Sequence, residues 1–237
     1  MVKKSVSATM IDSFLNWPRQ FEKRYVQGEK EPATGAMILG KAWHKAVEDN
    51  YRQKLTSGVD IPLSRVWEIF ATTFDDALHT QEIIFKPGET ADSTRAMGLA
   101  ITAAYHQSVA PKVRPLYVEE PFTVSLGDDF PYELVGYWDL IDQDNLIIDH
   151  KAYARAPNGA DVDKNVQLGV YALAYRLAKG RIEKGLRLDV VVKSKEPFVV
   201  MQYTQRTNQD CRWLLGVIER MVQVLESKNE LHTGGIQ

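Results

Sequence analysis

The sequence predicts an α/β fold, in which a central mixed β-sheet is flanked by helices and carries an N-terminal helical elaboration. Two observations support this prediction. Helical apolar patterns fill the first half of the 237-residue chain, and strand-like runs begin at Leu116. From there the order is three strands, a helix, two strands and a helix, which suits one sheet covered on both faces. We expect a single domain, with residues 1–112 mainly helical and residues 113–237 forming the sheet core.

The composition limits the kinds of site that the chain can build. Cys211 is the only cysteine, so a disulfide framework, a zinc knuckle and a cysteine-ligated iron–sulfur cluster are excluded within one chain. The net charge of −2 gives no global basic field, although a local groove can still be basic. No apolar run reaches membrane-spanning length and no signal-peptide core follows the N-terminus, so we expect a cytoplasmic protein with no membrane partner.

Apolar residues three and four positions apart predict that the N-terminal half is helical. The predicted helices start at Ser7 or Thr9 and end before Pro18, and then span about 37–54, 62–81 and 92–108. Gly40 and His44 lie one turn apart on the 37–54 helix. The 62–81 and 92–108 helices carry no recognisable functional pattern, so we assign them to the scaffold.

Strand-like runs and turn residues divide the C-terminal half. Strands are predicted at 116–125, 186–193 and 198–204, a hairpin at 132–153, helices at 165–179 and 206–230, and a loop at 154–163. The strand–helix–strand unit between residues 145 and 193 is expected to cross over to a parallel neighbouring strand.

The predicted hairpin carries the main chemical signal. Its two runs of apolar and aromatic residues flank the turn-forming residues 142–145. If the hairpin folds symmetrically about position 144, Asp139 faces Asp149, and alternation puts Lys151 on the same face as Asp149. Tyr137 would then face Lys151. Two carboxylates roughly 5 Å apart at Cβ repel each other unless a cation lies between them. The hairpin therefore predicts a metal site with an attached ammonium, although a one-residue slip would separate the two faces.

Two simpler interpretations stay open for these residues. The charged residues could form an ordinary Asp–Lys ion pair across the hairpin, since buried charges are usually paired or bound to metal. His44 could simply hydrogen-bond to Glu48 or to a backbone carbonyl. With the carboxylates nearby, however, its imidazole could supply a nitrogen ligand to a mostly oxygen-coordinated Mg²⁺ or Mn²⁺.

Two further pairs of polar residues lie on neighbouring elements. Glu119 and Glu120 fall in a strand, so alternation sends them to opposite faces and only one can reach the site. Gln167 and Tyr171 lie one turn apart on an otherwise apolar helix. Ordinary packing on the helix surface is the alternative for that pair.

Six short motifs follow one another along the chain. They are a Ser-rich helix start with Pro18-x-x-Phe21 in residues 5–25, Gly40-Lys41-Ala42-Trp43-His44, Glu119-Glu120-Pro121-Phe122, Gly136-Tyr137-Trp138-Asp139, Asp149-His150-Lys151 and Gln167-Leu168-Gly169-Val170-Tyr171. In this order they resemble the motifs of the RecB-like exonuclease family of the PD-(D/E)XK nuclease superfamily, which implies a restriction-endonuclease-like fold. Trp17 stands where relatives with an iron–sulfur cluster have cysteine, so the resemblance is to a branch without the cluster. Ala152 replaces an expected threonine.

The resemblance implies a role for each matching residue. Asp139, Asp149, His44 and the backbone carbonyl of His150 would bind Mg²⁺ or Mn²⁺, and Glu119, or Glu120 in its place, would contribute a further carboxylate. Lys151 would position the attacking water and offset charge on the phosphate. Gln167 and Tyr171 would hold DNA near the scissile phosphate.

The function implied by the resemblance is a Mg²⁺- or Mn²⁺-dependent deoxyribonuclease, an exonuclease rather than an endonuclease, acting on linear DNA ends in phage or bacterial recombination or repair. Phosphodiester bonds would be hydrolysed by metal-activated water. A homo-oligomer or a recombination partner protein is compatible with the resemblance, and the sequence gives neither digestion polarity nor strand preference.

Two other functions remain as alternatives. The chain could be a DNA-end-binding subunit of a recombination complex with a vestigial nuclease site, although intact Asp139, Asp149 and Lys151 argue against that. It could also be an enzyme of other chemistry in which the hairpin ion pair is purely structural.

Overall fold

The structure is a computed structural model that describes residues 3–233, and the side chains of residues 3–227. The strands are β1 (Lys4–Val6), β2 (Ala33–Thr34), β3 (Ile83–Ile84), β4 (Pro115–Ser125), β5 (Tyr132–Asp142), β6 (Leu146–Tyr153), β7 (Gly185–Val192) and β8 (Phe198–Thr204). The helices are α1 (Ala8–Asn16), α2 (Pro18–Phe21), α3 (Gly35–Ser57), α4 (Leu63–Thr80), α5 (Ala91–Ser108), α6 (Gly159–Asp163), α7 (Val166–Lys179) and α8 (Asn208–Thr233). A π-helical turn, Glu22–Val26, follows α2, and a 3₁₀ turn, Ala110–Lys112, precedes β4.

The main sheet is mixed, as predicted. β4–β5, β5–β6 and β7–β8 pair antiparallel, whereas β1–β5 and β6–β7 pair parallel. The predicted crossover from β6 through α7 to a parallel neighbour is therefore confirmed. With helices on its faces, the sheet has the expected restriction-endonuclease-like α/β architecture.

One edge of β5 is left open in its middle. β4 pairs with β5 from Glu133 to Asp142 except at Asp139, and this range includes residues with which β1 and β6 also pair. β1 and β6 must therefore share the opposite edge. β1 ends its pairing at Leu134 and β6 starts at Leu140, so no strand of the described chain pairs with that edge between Val135 and Asp139.

Two apolar cores lie on the two faces of the sheet. Helices α1, α7 and α8 cover one face, and α3, α4 and α5 cover the other. Successive residues of β6 alternate between them, with Ile147 in the first core and Ile148 in the second. Every residue of β7 is buried, as is typical of a strand with neighbours on both faces.

The differences from the predicted elements are local. Residues 154–163 were expected to form a loop, but they contain α6, because Asn158 and Asp161 form a reciprocal capping box instead of a turn. The short strands β1, β2 and β3 carried no pattern long enough to predict them. No helix in the described range is long and apolar enough to cross a membrane.

The contact between α4 and α5 gives a stability prediction. A Cβ on Gly98 of α5 would overlap the fully buried ring of Phe70 on α4. We expect Gly98→Ala to lower the free energy of unfolding by about 1–3 kcal/mol, measured by urea denaturation, because overpacking outweighs the helix propensity of alanine. Gly216→Ala on α8, where a Cβ meets nothing, is the matched control and should stabilise by about 0.5–1 kcal/mol. Equal shifts in the two variants would contradict the packing argument.

Candidate active site at the open edge of β5

The hairpin has the predicted register but a shorter ladder. Ile141 pairs with Ile147 and Leu140 with Ile148, which confirms a turn symmetric about position 144. The pairing stops there, so Asp139 and Asp149 are not directly opposed ladder partners, and the expectation that they are is wrong. The strands separate because the carboxylate of Asp139, instead of a backbone carbonyl, accepts the hydrogen bond from the backbone N–H of His150 at 3.0 Å.

The predicted contact between Tyr137 and Lys151 is also wrong, for the same reason. Tyr137 pairs with Pro121 of β4, and Lys151 pairs with Val190 of β7. Since β5 and β6 have already parted at these positions, Tyr137 and Lys151 do not face each other.

Asp139 is the centre of the site. Its Oδ1 accepts a hydrogen bond from the Tyr171 hydroxyl at 2.8 Å, and its Oδ2 lies 3.6 Å from Nδ1 of His44. Burial alone would raise the pKa of Asp139, but His44, Lys151 and His150 together hold it below its ordinary value. The carboxylate is therefore ionised in a nearly dry environment.

Helix α3 brings His44 to this carboxylate. The helix starts at Thr34, whose side chain accepts a hydrogen bond from the backbone of Met37, and it buries Trp43 beside the site. Burial lowers the pKa of His44, and the charge of Asp139 opposes this only in part. A neutral imidazole with a lone pair is the form that binds a metal ion.

Glu119 completes a group of three candidate ligands. Ligand atoms of His44, Glu119 and Asp139 all lie within 4.8 Å of one another. Glu119 has a φ of 46°, which is uncommon for a residue with a side chain and interrupts the ladder between Val118 and Glu120. Burial raises the pKa of Glu119 to about 8, with Asp139 and Glu48 adding to the effect. Of the two glutamates considered from the sequence, Glu119 is the one that this group contains.

Asp149 and Lys151 form a second part of the site. Asp149 is 0% exposed, and Nζ of Lys151 lies 3.0 Å from its Oδ1 and 2.9 Å from its Oδ2. Only the Oδ1 contact has hydrogen-bond geometry, so Oδ2 has no hydrogen-bond donor among the described residues. Burial raises the pKa of Asp149 to about 7, although Lys151 opposes the shift. Asp149 lies outside the group of three ligands.

Helix α7 contributes a relay to Asp139. Gln167 donates a hydrogen bond to the Tyr171 hydroxyl at 2.8 Å, and that hydroxyl donates to Asp139. Tyr171 is only 3% exposed, and its backbone carbonyl accepts a hydrogen bond from the indole of Trp138 at 3.2 Å. The structure therefore turns Tyr171 toward the candidate ligand and leaves Gln167 nearer to the surface.

The side chain of His150 contacts Tyr105 of α5, and the sequence did not predict this contact. It is buried, and its Nε2 lies 2.8 Å from the hydroxyl of Tyr105 on α5. The assignment of α5 wholly to the scaffold was therefore incomplete. No spacing rule could have found this contact, because Tyr105 and His150 are far apart in the sequence and meet only when α5 packs on the sheet.

Two depressions open beside the site. One, the α3–α4 groove, has a volume of about 580 Å³ and is lined by Lys41 and Lys45 together with the three candidate ligands. The other, the α1–α7 groove, has a volume of about 480 Å³ and includes Lys151, Lys164 and Gln167. Thr73 and Thr80 of α4 also line the α3–α4 groove.

The donor set fits a divalent cation that prefers oxygen ligands. Glu119 and Asp139 place two carboxylates beside one neutral imidazole, which suits Mg²⁺ or Mn²⁺. Repulsion between these two carboxylates adds to the raised pKa of Glu119, and it is a cost that a bound cation would remove.

Comparisons with known proteins agree with this arrangement. The family model described as the PD-(D/E)XK nuclease superfamily matches residues 5–231. A solved structure from Eubacterium rectale, provisionally described as an exonuclease, has a TM-score of 0.63 at 14% sequence identity, over 95% of this chain and 82% of that chain. A second solved structure reaches a TM-score of only 0.35 at 9% identity, over 89% of this chain and 88% of that chain. No curated protein matches the sequence.

The pKa of Glu119 gives a prediction for the metal-free protein. A carboxyl whose pKa is raised by folding contributes stability below its unfolded pKa of about 4.5, and this is lost as the pH rises through about 8. In EDTA, we expect the free energy of unfolding of Glu119→Gln, measured with urea, to rise by roughly 1–3 kcal/mol relative to that of the original chain between pH 5 and pH 9. This range allows for solvent screening. Glu120→Gln removes the same charge one position away and is the control. A stability difference that does not change with pH would contradict the electrostatic origin.

Proposed function

We propose that this chain, which belongs to the PD-(D/E)XK nuclease superfamily, is a Mg²⁺- or Mn²⁺-dependent deoxyribonuclease that hydrolyses phosphodiester bonds in DNA. The observation that carries the proposal is the group of His44, Glu119 and Asp139 at the open edge of β5, next to the buried pair Asp149–Lys151. An oxygen-rich ligand set beside a lysine combines what phosphodiester hydrolysis needs, which is metal binding and a positive charge near the phosphate.

In this proposal the cation is held by Asp139, Asp149, His44 and the backbone carbonyl of His150, with Glu119 as a further acidic contributor. The closeness of His44, Glu119 and Asp139, whose ligand atoms lie within 4.8 Å of one another, supports this assignment. A bound divalent cation would lower the pKa of water and offset negative charge on the phosphate.

Lys151 acts on the substrate directly. Burial works against its charge, but Asp149 and Asp139 raise its pKa above the ordinary value, so it stays an ammonium. Its side chain is 23% exposed and faces the α1–α7 groove. From there it can donate hydrogen bonds to the attacking water and to a phosphate oxygen.

The two α7 residues take different roles. Tyr171 is buried with its hydroxyl bonded to Asp139, so we assign it to orienting that ligand. Gln167 lines the α1–α7 groove and is placed to contact DNA near the scissile phosphate. We assign Lys41 of the α3–α4 groove and Lys164 of the α1–α7 groove to contacts with DNA phosphates, whereas Lys45 forms ion pairs with Glu48 and Asp49.

The finer assignment is an exonuclease that acts on linear DNA ends in phage or bacterial recombination or repair. The resemblance of the six motifs to RecB-like exonucleases supports it, as does the description given to the Eubacterium rectale protein, which shares the fold. The same proposal includes assembly of this chain into a homo-oligomer or its binding to a recombination partner protein.

The first test is cleavage of linear single- and double-stranded DNA labelled at either end. We expect cleavage with Mg²⁺ or Mn²⁺, none in EDTA, and a loss of roughly 10²–10³-fold in Lys151→Ala, because the charge near the phosphate is gone. Lys151→Gln, which keeps the length of the side chain, serves if Lys151→Ala fails to fold.

The matched control for this test is Lys112→Ala, which removes an exposed lysine from the 3₁₀ turn and should leave the rate unchanged. Circular dichroism checks the fold of each variant. Cleavage that persists in EDTA would defeat the proposed chemistry, and the end from which label is released first would give the polarity.

The second test is metal binding without DNA. Calorimetry with Mn²⁺ should show binding that Asp139→Asn weakens by at least roughly tenfold, because the central carboxylate loses its charge. Asp144→Asn, at the exposed turn of the hairpin, is the control and should bind like the original chain. Equal binding by all three proteins would exclude this site.

A further inference from the structure

The structure assigns a positioning role to Tyr105 and Asp189, which fix the orientation of His150 from the face of the sheet opposite to Lys151. This inference rests on the proposed function, because it concerns how the candidate metal site is held. It adds residues of α5 and β7 that none of the six motifs contains.

A continuous chain of contacts connects these residues to the site. The guanidinium of Arg187 donates two hydrogen bonds to Asp189, at 2.7 and 2.8 Å. Asp189 accepts a further hydrogen bond from the Tyr105 hydroxyl at 3.1 Å, and the same hydroxyl lies 2.8 Å from Nε2 of His150. The backbone N–H of His150 then donates to Asp139.

Counting hydrogens fixes the direction of each bond. Asp189 is held by the two N–H groups of Arg187 and acts as an acceptor, so the single hydroxyl hydrogen of Tyr105 goes to it. The oxygen of Tyr105 must then accept at Nε2, which makes Nε2 of His150 the protonated nitrogen. Tyr51 lies 2.9 Å away and can donate to the same oxygen.

The consequence for His150 is that its ring is held in one tautomer and one orientation. Nδ1 carries the lone pair, and it lies 3.7 Å from Oδ2 of Asp139, the oxygen that also accepts the His150 N–H. Since hydrogen bonds hold both the peptide N–H and the ring of His150, its backbone has little freedom to move relative to Asp139. The carbonyl of His150 is one of the proposed metal ligands, so the contacts from Tyr105 and Asp189 set the geometry of that ligand.

Burying this polar cluster costs desolvation free energy that apolar packing would avoid. Asp189 is 0% exposed, and Tyr51, Tyr105, His150 and Arg187 are also buried, beside an otherwise apolar core. Apolar side chains could fill the same volume without desolvating a charge pair. Hydrogen bonds connect Arg187, Asp189, Tyr105 and Nε2 of His150, and this polar cluster ends on the candidate site, which is where an orienting network is needed.

The test compares two buried tyrosine hydroxyls. Tyr105→Phe removes the link to His150, whereas Tyr175→Phe removes a hydroxyl that donates to Asn145 on the other face of the sheet and serves as the matched control. We expect Tyr105→Phe to raise the Mn²⁺ concentration for half-maximal binding and cleavage about tenfold. At saturating metal, its kcat and its KM for DNA should return close to those of the original chain. The control should change neither quantity.

A second readout needs neither metal nor DNA. In ¹⁵N-histidine NMR spectra of the metal-free protein, His150 should appear as the tautomer protonated at Nε2, with its signals assigned by subtraction from variants that replace each other histidine in turn. In Tyr105→Phe the acceptor is lost, so a mixture of the two tautomers is expected. The original chain with His150 protonated only at Nδ1 would overturn the inference.

The outcomes separate this inference from the proposed function. If the original chain neither binds Mn²⁺ nor cleaves DNA, the proposed function fails, while the NMR result still decides the orientation of His150. If the original chain is active and Tyr105→Phe matches Tyr175→Phe in metal dependence and in the histidine spectrum, the positioning role is wrong.

Discussion

The arrangement of the site depends on one carboxylate that takes the place of a strand partner. Where β5 and β6 part, the backbone N–H of His150 would lose its hydrogen bond, and Asp139 supplies the acceptor. The same side chain is then stabilised by Tyr171 from one face of the sheet and lies against His44 from the other. Because a buried carboxylate needs several such partners, the elements that meet at Asp139 are constrained together.

The two cores explain why the ligands come from both faces. Helix α3 packs in the core that includes Ile148, and α7 packs in the core that includes Ile147. Each helix therefore reaches the open edge of β5 from its own side of the sheet. The grooves beside these helices leave Lys151 and the candidate ligands accessible from two directions. A fold of three layers thus places side chains from both of its helical layers at one edge of β5.

How much of this structure could be predicted from the sequence depends on how far apart along the chain the interacting residues lie. Apolar alternation and turn residues are local, so the strands, the hairpin register and the mixed sheet could be predicted. The parting of β5 and β6 could not, because it depends on a side chain replacing a backbone acceptor. The positive φ of Glu119 has no local signal either, since nothing in its type requires it. Tyr105 was missed because its partners, His150 and Asp189, lie on strands remote in sequence.

The distance along the chain between His44 and Asp139 has a thermodynamic consequence. These side chains meet only after α3 has packed on the sheet, so the unfolded chain holds no equivalent site. A cation that binds there acts on the folded state alone, and mass action then shifts the folding equilibrium by RT ln(1 + [L]/Kd). Occupancy of this site and resistance to heat would therefore be linked, and the ion concentration of the surroundings would set both.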